Sequence, residues 1–216
     1  VLVAASLGIA LALVAWRWRK SFMRERTLAE RARDGERERR RLAEANAQLY
    51  ASATTDPLTG IANRAQGLER LRQALAIVRD DGLVAIGLVD VDHFKRINDT
   101  WGHQAGDSVL CAVADTLERT LAGAVVVARV GGEEFLVVLD GDLARDAERR
   151  FEDARAAMAD IAPETDIGVT VSIGWCVHRG PGAPVDLLLA AADAAMYRAK
   201  AMGRDRVEGS AQAVVL

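Results

Sequence analysis

The chain has 216 residues, of which 50% are hydrophobic and 27% charged, and its formal net charge is −3. This length and composition permit one ordinary domain with a full apolar core plus an additional segment. The two cysteines lack metal-type spacing, which argues against a cysteine-ligated metal. Positive charge is concentrated at positions 17–41, and such a stretch beside a membrane favours anionic headgroups, so we expect no nucleic-acid partner.

The chain begins with an uncharged apolar stretch that predicts a transmembrane helix over residues 1–18. Arg17, Arg19 and Lys20 follow it, and Trp16 and Trp18 suit an interfacial aromatic belt. The stretch is short for a bilayer core of about 30 Å, and it begins with Val, so we expect truncation at its N-terminus. The basic residues after it predict that the remainder lies in the cytoplasm. A buried apolar helix is the alternative.

Residues 19–53 read as one polar helix that links this stretch to the rest of the chain. A weak heptad pattern, in which Asn46 would favour one register, predicts a two-stranded coiled coil. A solvated single helix is the alternative. The heptad positions are Leu28, Gly35, Leu42 and Leu49.

Residues 54–208 alternate between helix and strand patterns, and residues 209–216 read as a tail. The predicted helices span 64–79, 104–121, 143–161 and 185–203, and the predicted strands include 83–91, a hairpin around Gly131-Gly132, and 167–177. A two-residue type I′ or II′ turn is expected at these glycines. The order predicts an α+β fold, with an antiparallel central sheet and helices on one face, in a ferredoxin-like plan.

Acidic side chains follow two of the predicted strands. Asp90 and Asp92 end the strand at 83–91, and Glu133 and Glu134 follow the glycines of the hairpin. Carboxylates gathered in this way raise one another's pKa unless a cation neutralises them. Mg²⁺ prefers oxygen ligands and commonly binds carboxylates together with substrate phosphates. The sequence therefore predicts a magnesium site, with Mn²⁺ as a substitute; a solvated acidic pair on an exposed turn is the alternative.

Three basic residues could hold a polyphosphate near these acids. Lys95 follows the first acidic pair, and Lys200 and Arg204 end the last predicted helix, where an i,i+4 spacing places them on one face. Basic residues at a helix C-terminus also complement the helix dipole without any ligand.

Five ordered segments together resemble the GGDEF family of diguanylate cyclases over about residues 54–208. The signature appears here in its GGEEF variant. The resemblance implies a fold similar to the palm of nucleotide cyclases. The segments are DPLTGIANR, DVDHFKRINDTWGHQAGD, RVGGEEF, VTVSIG and ADAAMYRAKAMGRDRV.

The resemblance implies that two GTP molecules condense into cyclic di-GMP with release of pyrophosphate. This reaction implies a homodimer with one GTP in each domain, and the apolar stretch predicts that it is anchored in a bacterial inner membrane with the catalytic domain in the cytoplasm. Several residues inherit roles by position. The implied metal ligands are Asp90, the carbonyl of Val91, Glu133 and, less directly, Glu134, and Glu133 is also the implied base. The implied guanine-reading pair is Asn98 and Asp107. The resemblance further implies that the amides of His93 and Phe94 donate hydrogen bonds to phosphate, that Lys95 offsets the charge of the phosphate, and that Lys200 and Arg204 form the triphosphate clamp.

One segment departs from the family pattern. Many members carry Arg-x-x-Asp five residues before the first glycine of the signature, where cyclic di-GMP inhibits its own synthesis. Residues 122–125 here are Ala-Gly-Ala-Val, which supply neither a guanidinium fork nor a carboxylate. We therefore expect no product-inhibition site there.

Three functional hypotheses remain at this level. The first is an active diguanylate cyclase. The second is a non-catalytic module that binds GTP or a partner, and the third is a cyclase for another nucleotide. The acids of the hairpin favour the first over the second, and Asn98 and Asp107 disfavour the third.

Overall fold

The computed structural model describes residues 16–20, 23, 36, 38–43, 45, 52–161 and 168–213, with no side chains described for 210–213. The chain divides into two compact units, residues 1–51 and 52–216. The described residues of the first unit are helical, and Leu42 is exposed. No helix among the described residues is both long and apolar enough to cross a bilayer. Residues 1–15 of the predicted transmembrane helix lie outside the described residues, as do Leu28, Asn46 and Leu49 of the predicted coiled coil.

The second unit contains six strands and six α-helices in its described part. The strands are β1 (Ala62–Asn63), β2 (Leu83–Val91), β3 (Val126–Arg129), β4 (Glu134–Asp140), β5 (Val171–Arg179) and β6 (Arg206–Ala213). The helices are α1 (Arg64–Ile77), α2 (Phe94–Trp101), α3 (His103–Thr120), α4 (Gly141–Arg145), α5 (Ala147–Ala157) and α6 (Val185–Ala201), with a 3₁₀ turn at Met158–Asp160.

The strands form one sheet in the order β1-β3-β4-β2-β5-β6. The four central strands are antiparallel, and their order, β3-β4-β2-β5, is the ferredoxin-like one predicted from the sequence. The edge strands differ: β1 runs parallel to β3, and β6 runs parallel to β5. The sheet is therefore mixed rather than antiparallel throughout.

Helices cover both faces of this sheet, so the prediction of helices on one face is wrong. Helices α3 and α5 pack on one face around Val113 and Phe151. Helices α1 and α6 lie outside the ferredoxin-like repeat and pack on the other face around Leu71 and Leu188. Strand β2 is apolar on both faces, because Val84 and Ile86 belong to one core and Ala85 and Val89 to the other. Each face therefore needs its own helical cover.

Strand β2 contains a glycine that lets a helix approach closely. A Cβ at Gly87 would overlap the ring of Phe151 in α5. That ring is fully buried and lies 6.2 Å from the ring of Trp175 in β5. The contact fixes α5 against the centre of the sheet.

Several predicted boundaries differ from the observed ones. The helix predicted at 104–121 is preceded by the separate helix α2, and Gly102, with φ of 84°, divides them. The helix predicted at 143–161 is broken at Asp146, whose φ and ψ of −97° and 19° are not helical. The predicted tail begins inside β6, which continues along β5 as far as Ala213.

Candidate active site

The ends of β2 and β4 bring together the acidic residues that the sequence singled out. Asp90 is paired with Glu134 in the β2–β4 ladder, and the Val91 amide donates to the carbonyl of Glu133 at 3.2 Å. Glu134 also lines a pocket of about 260 Å³ between α1 and α6, together with Leu88. Two distant stretches of chain therefore meet where the central strands β2 and β4 adjoin at one end of the sheet, which we call the acidic edge.

The electrostatics of this edge are those of crowded carboxylates, one of which contacts the cation of Lys200. Burial raises the pKa of Asp90, and a hydrogen bond and the charge of Lys200 oppose that rise. Lys200 Nζ lies 2.8 Å from Asp90 Oδ2, whose side chain is 8% exposed. Partial burial and the nearby charge of Asp90 also raise the pKa of Glu133. Lys200 thus partly offsets the cost of keeping buried Asp90 in its charged form.

The glycines of the hairpin do not form the predicted two-residue turn. Strand β3 ends at Arg129 and β4 begins at Glu134, so four residues, 130–133, connect the strands. Neither Gly131 nor Gly132 has the positive φ that type I′ or II′ turns require. A Cβ at Gly131 would lie 2.5 Å from Glu134 Oε2, whereas nothing lies within 4 Å of one at Gly132. The loop therefore leaves open space beside the acids.

Two arginines hold this loop, and neither was among the predicted site residues. Arg64 Nη1 donates to the carbonyl of Val130 at 3.1 Å, and Arg129 Nη2 donates to that of Gly132 at 2.7 Å. Arg129 also pairs with Asp56 at 3.0 Å. Because Asp56 begins DPLTG, the segment that enters the domain is tied to the loop of the signature. Arg129 lies two residues before Gly131 in the sequence, and this proximity was the signal that could have predicted its contact with the loop.

Asp92 has a different environment from Asp90, although the two lie only two residues apart. Strand β2 ends at Val91, and the carboxylate of Asp92 accepts hydrogen bonds from Thr170, Ser172 and the amide of Asp205. Asp92 is 5% exposed. These neutral donors satisfy its oxygens, so Asp92 belongs to the structure around the site rather than to its open edge.

Helix α2 begins directly after these acids. His93 precedes it in a left-handed conformation, with φ of 56°, and its side chain makes no capping hydrogen bond. The helix therefore has no side-chain cap at His93, and its first amides lie beside the acidic edge, as a phosphate site requires. Phe94 is buried, and Lys95 is exposed in the first turn. The roles of the His93 and Phe94 amides and of Lys95 in phosphate binding stay predictions.

The predicted guanine-reading residues lie close to each other. Asn98 is on α2 and Asp107 is on α3. A Cβ at Gly106 would overlap Asn98 Oδ1, so the amide group lies directly over the residue that precedes Asp107. Asn98 is half-buried and Asp107 is exposed. Neither side chain is turned into the core, and both are available to a ligand.

The two residues of the predicted triphosphate clamp do not share a helix face. Helix α6 ends at Ala201, and Arg204 lies in the following turn with φ of 63°. The i,i+4 argument for Lys200 and Arg204 is therefore wrong, because Gly203, with φ of 111°, ends the helical path first. Both residues nevertheless lie near the same site, since the charges of both oppose the rise in the pKa of Asp90 that burial causes.

The donor set at this edge fits a hard divalent cation. Asp90 and Glu133 offer carboxylate oxygens, and Val91 offers a backbone carbonyl at the strand end. Such oxygens suit Mg²⁺ or Mn²⁺. Among the described residues, no three acidic, histidine or cysteine side chains already form a metal-binding group. Lys200 holds Asp90 Oδ2 instead, so a positive charge is compatible with this position.

Residues 122–125 form a surface turn before β3. Ala122 is exposed and Gly123 has φ of 92°. Ala124 and Val125 line a surface pocket of about 330 Å³ that Arg70 also borders. Arg70 Nη2 lies 3.5 Å from the carbonyl of Val125. The segment itself presents only small apolar side chains to this pocket.

Comparisons with known proteins agree with this geometry. The model of the family "Diguanylate cyclase, GGDEF domain" matches residues 53–206. Diguanylate cyclase DgcP of Pseudomonas aeruginosa is 43% identical over 72% of this chain and 24% of its own length. Diguanylate cyclase DgcM of Escherichia coli is 40% identical over 79% of this chain and 41% of its own length. The chain thus spans less than half of either relative.

Solved structures show the same fold. The coiled coil and GGDEF domain of DgcB from Caulobacter crescentus, in complex with c-di-GMP, matches with a TM-score of 0.77 and 34% identity, over 85% of this chain and 99% of that one. Diguanylate cyclase SiaD of Pseudomonas aeruginosa, in complex with its activator SiaC, matches with a TM-score of 0.67 and 33% identity, over 96% of this chain and 79% of that one. With the acids, the loop and the basic residues in the family's order, the chain belongs to the diguanylate cyclase family defined by the GGDEF domain.

Proposed function

We propose that this chain is a diguanylate cyclase that condenses two GTP molecules into cyclic di-GMP and two pyrophosphates. The observation that carries the proposal is the meeting of Asp90 and Glu133 at one sheet edge, with Lys200 in contact with Asp90. Separate segments supply these three residues, and neither the core nor the ladder needs charge at that edge. The relatives' names support the same activity.

The residues around this edge divide the binding of the nucleotide among them. Asp90, the carbonyl of Val91, Glu133 and, in support, Glu134 would hold Mg²⁺, with Mn²⁺ as a substitute. When bound, the ion lowers the cost of the negative charge that develops on the transferred phosphate. The remaining phosphate contacts would come from the amides of His93 and Phe94 and from the side chains of Lys95, Lys200 and Arg204.

Guanine recognition would come from Asn98 and Asp107, which lie beside each other and outside the core. The carboxylate of Asp107 can accept from the N1 and N2 donors of guanine. Adenine does not present that pair of donors. A site built to satisfy such donors rejects an analogue that lacks them.

The reaction forms a bond from the 3′-oxygen of one GTP to the α-phosphorus of the other and breaks the α–β phosphoanhydride bond. The proton of the 3′-hydroxyl goes to a base, and pyrophosphate leaves. Glu133 suits the base role because burial and Asp90 raise its pKa toward the working pH. Two such transfers close the ring, so two domains must face each other, each with one GTP.

Product analysis tests the proposal directly. The purified chain, held dimeric by a fused leucine zipper, is incubated with GTP and Mg²⁺, and the nucleotides are separated by chromatography. We expect cyclic di-GMP from GTP and no cyclic product from ATP. Glu133→Gln should lower the rate by about 10²-fold or more, as expected for loss of a general base, and should keep the fold by circular dichroism. Tight GTP binding without product would support the non-catalytic module instead.

We also propose that the chain is anchored in a bacterial inner membrane with the catalytic domain in the cytoplasm. The uncharged stretch at 1–16 and the basic residues after it support this location. The linker at 19–53 would join two copies as a coiled coil. Fractionation of cells that express the chain, with and without residues 1–18, tests the anchor. Recovery of both forms in the soluble fraction would contradict it.

A further inference from the structure

The turn after α6 has an unusual backbone for the residues it contains. Gly203, Arg204 and Asp205 have φ values of 111°, 63° and 44° in succession. Non-glycine residues enter this left-handed region only at a steric cost, because Cβ approaches the backbone. Two of them in a row persist only where surrounding contacts hold the chain. The turn also carries Arg204, one of the proposed phosphate-binding residues.

Asp92 supplies one of the contacts that hold this turn. Its Oδ2 accepts from the amide of Asp205 at 3.0 Å and from Thr170 Oγ1 at 2.8 Å. Its Oδ1 accepts from Ser172 Oγ at 2.6 Å. Hydrogen bonds to a charged acceptor are stronger than neutral ones, and this acceptor is almost fully buried. The carboxylate therefore joins the end of β2, strand β5 and the turn.

A second contact holds the turn from outside. Asp205 Oδ1 lies 2.6 Å from Arg155 Nη1 of α5, and Arg155 is also paired with Glu152 one helical turn away. The amide of Arg204 donates to the carbonyl of Ala199 at 3.0 Å. The backbone on both sides of Arg204 is thus held by hydrogen bonds to other elements.

Asp92 also lies between two parts of the proposed nucleotide site. Asp90 stands two residues before it, and His93 and Phe94 directly follow it. A movement of Asp92 would therefore change the distance from Arg204 both to the metal-binding acids and to the first amides of α2. The charge of Arg204 already acts on Asp90 in this arrangement.

We propose that Asp92 is a positioning residue, which fixes Arg204 against Asp90 and the start of α2 by holding the turn at 203–205. This role rests on the proposed function, because it assigns Arg204 to the triphosphate. Asp92 touches no substrate in this account. Its effect on turnover passes through Arg204, and that dependence can be tested.

A double-mutant cycle tests the dependence. Loss of a hydrogen bond to a charged group corresponds to about a tenfold change in affinity, so Asp92→Ala should raise the KM for GTP by about tenfold, with a smaller change in kcat. Asp92→Asn should keep a KM for GTP close to that of the wild type, because its amide oxygen can accept from the Asp205 amide while its NH₂ group donates to Ser172. The pair Asp92→Ala and Arg204→Met should be no worse than Arg204→Met alone. Losses that multiply in the double variant would overturn the proposal.

Hydrogen–deuterium exchange separates this proposal from the proposed function. The peptide that covers residues 203–207 should exchange faster in Asp92→Ala than in the wild type, and should stay protected in Asp92→Asn and in Ser172→Ala. This readout needs no turnover. A wild-type chain without cyclase activity would refute the function, whereas unchanged exchange in Asp92→Ala would refute the positioning role. If Asp92→Ala does not fold, Asp92→Ser, which is too short to reach Asp205, replaces it.

Discussion

Strands β2 and β4 have middles and ends of opposite character. In the middle, Ile86 faces Val138 and Leu88 faces Leu136, all in the apolar interior of one ladder. At the end of the same ladder, Asp90 faces Glu134, and like charges directly opposite each other are destabilising. The apolar middle of the ladder therefore stabilises the fold, and this stability offsets the repulsion between the acids at its end.

Phe151 is a fully buried side chain that packs against Gly87 in the middle of β2. Phe151→Ala should lower the free energy of unfolding by about 3–5 kcal/mol, because it removes a fully buried ring and leaves a cavity beside Gly87. Urea denaturation measures the change. Phe151→Leu is the matched control and should cost less. A loss below about 1 kcal/mol for the alanine variant would contradict the assigned packing.

The contact between α6 and the sheet gives the next largest effect. A Cβ at Gly174 would overlap backbone atoms of Ala192 and Met196 in α6. Gly174→Ala should therefore destabilise the domain by about 1–3 kcal/mol, as overpacking does. Gly168→Ala is the control, since nothing lies within 4 Å of its Cβ. Equal stability of the two variants by thermal denaturation would show that α6 does not pack as described.

At the acidic end the effect on stability should have the opposite sign. Glu133→Gln removes a charge that Asp90 and Glu134 repel, so its Tm should equal or slightly exceed that of the wild type. Differential scanning calorimetry measures this, with the exposed Glu118→Gln as the control. A clearly lower Tm of Glu133→Gln would mean that Glu133 stabilises the fold rather than destabilising it.

The pH dependence sharpens the same comparison. Because the pKa of Glu133 is raised above its ordinary 4.5, the folded state binds its proton more tightly than the unfolded state does. Stability from this group is therefore present at low pH and falls as pH rises from 4.5 to the raised value. The Tm advantage of Glu133→Gln should grow over that window and then level off. An advantage that shrinks with rising pH would reverse the sign of the argument.

The smallest effect concerns the turn at residues 122–125. Cyclic di-GMP at about 10 µM should lower the initial rate by less than about twofold, because no guanidinium fork or carboxylate is present in that segment. The variant that combines Ala122→Arg and Val125→Asp should become sensitive to the product. Strong inhibition of the wild type that persists after Arg70→Ala would place an inhibitory site elsewhere.

The sequence predicted the centre of the fold well because the centre obeys local patterns. The apolar run at 83–91 is β2 to the residue, and the segments around Gly131 form adjacent strands. The edge strands were not predicted, because parallel pairing of β1 with β3 and of β6 with β5 joins segments that have no local signal of each other. The second layer of helices was missed for the same reason.

The candidate site follows the same division. The meeting of Asp90 with Glu133 follows from strand order, so sequence reasoning could reach it. The break of α6 before Arg204 depends on a turn that Asp92 and Arg155 hold from other elements. Helical spacing alone could not reveal that turn, and it gave the wrong geometry for Lys200 and Arg204.

The central claim is that Asp90, at the end of the apolar ladder, helps to hold a metal-bound guanine nucleotide. Calorimetric titration of the wild type and of Asp90→Asn with a non-hydrolysable GTP analogue, with and without Mg²⁺, tests it most directly. We predict that Mg²⁺ strengthens binding by about tenfold or more in the wild type and has little effect in Asp90→Asn, since the ion depends on that carboxylate. The same enhancement in both proteins would contradict the account.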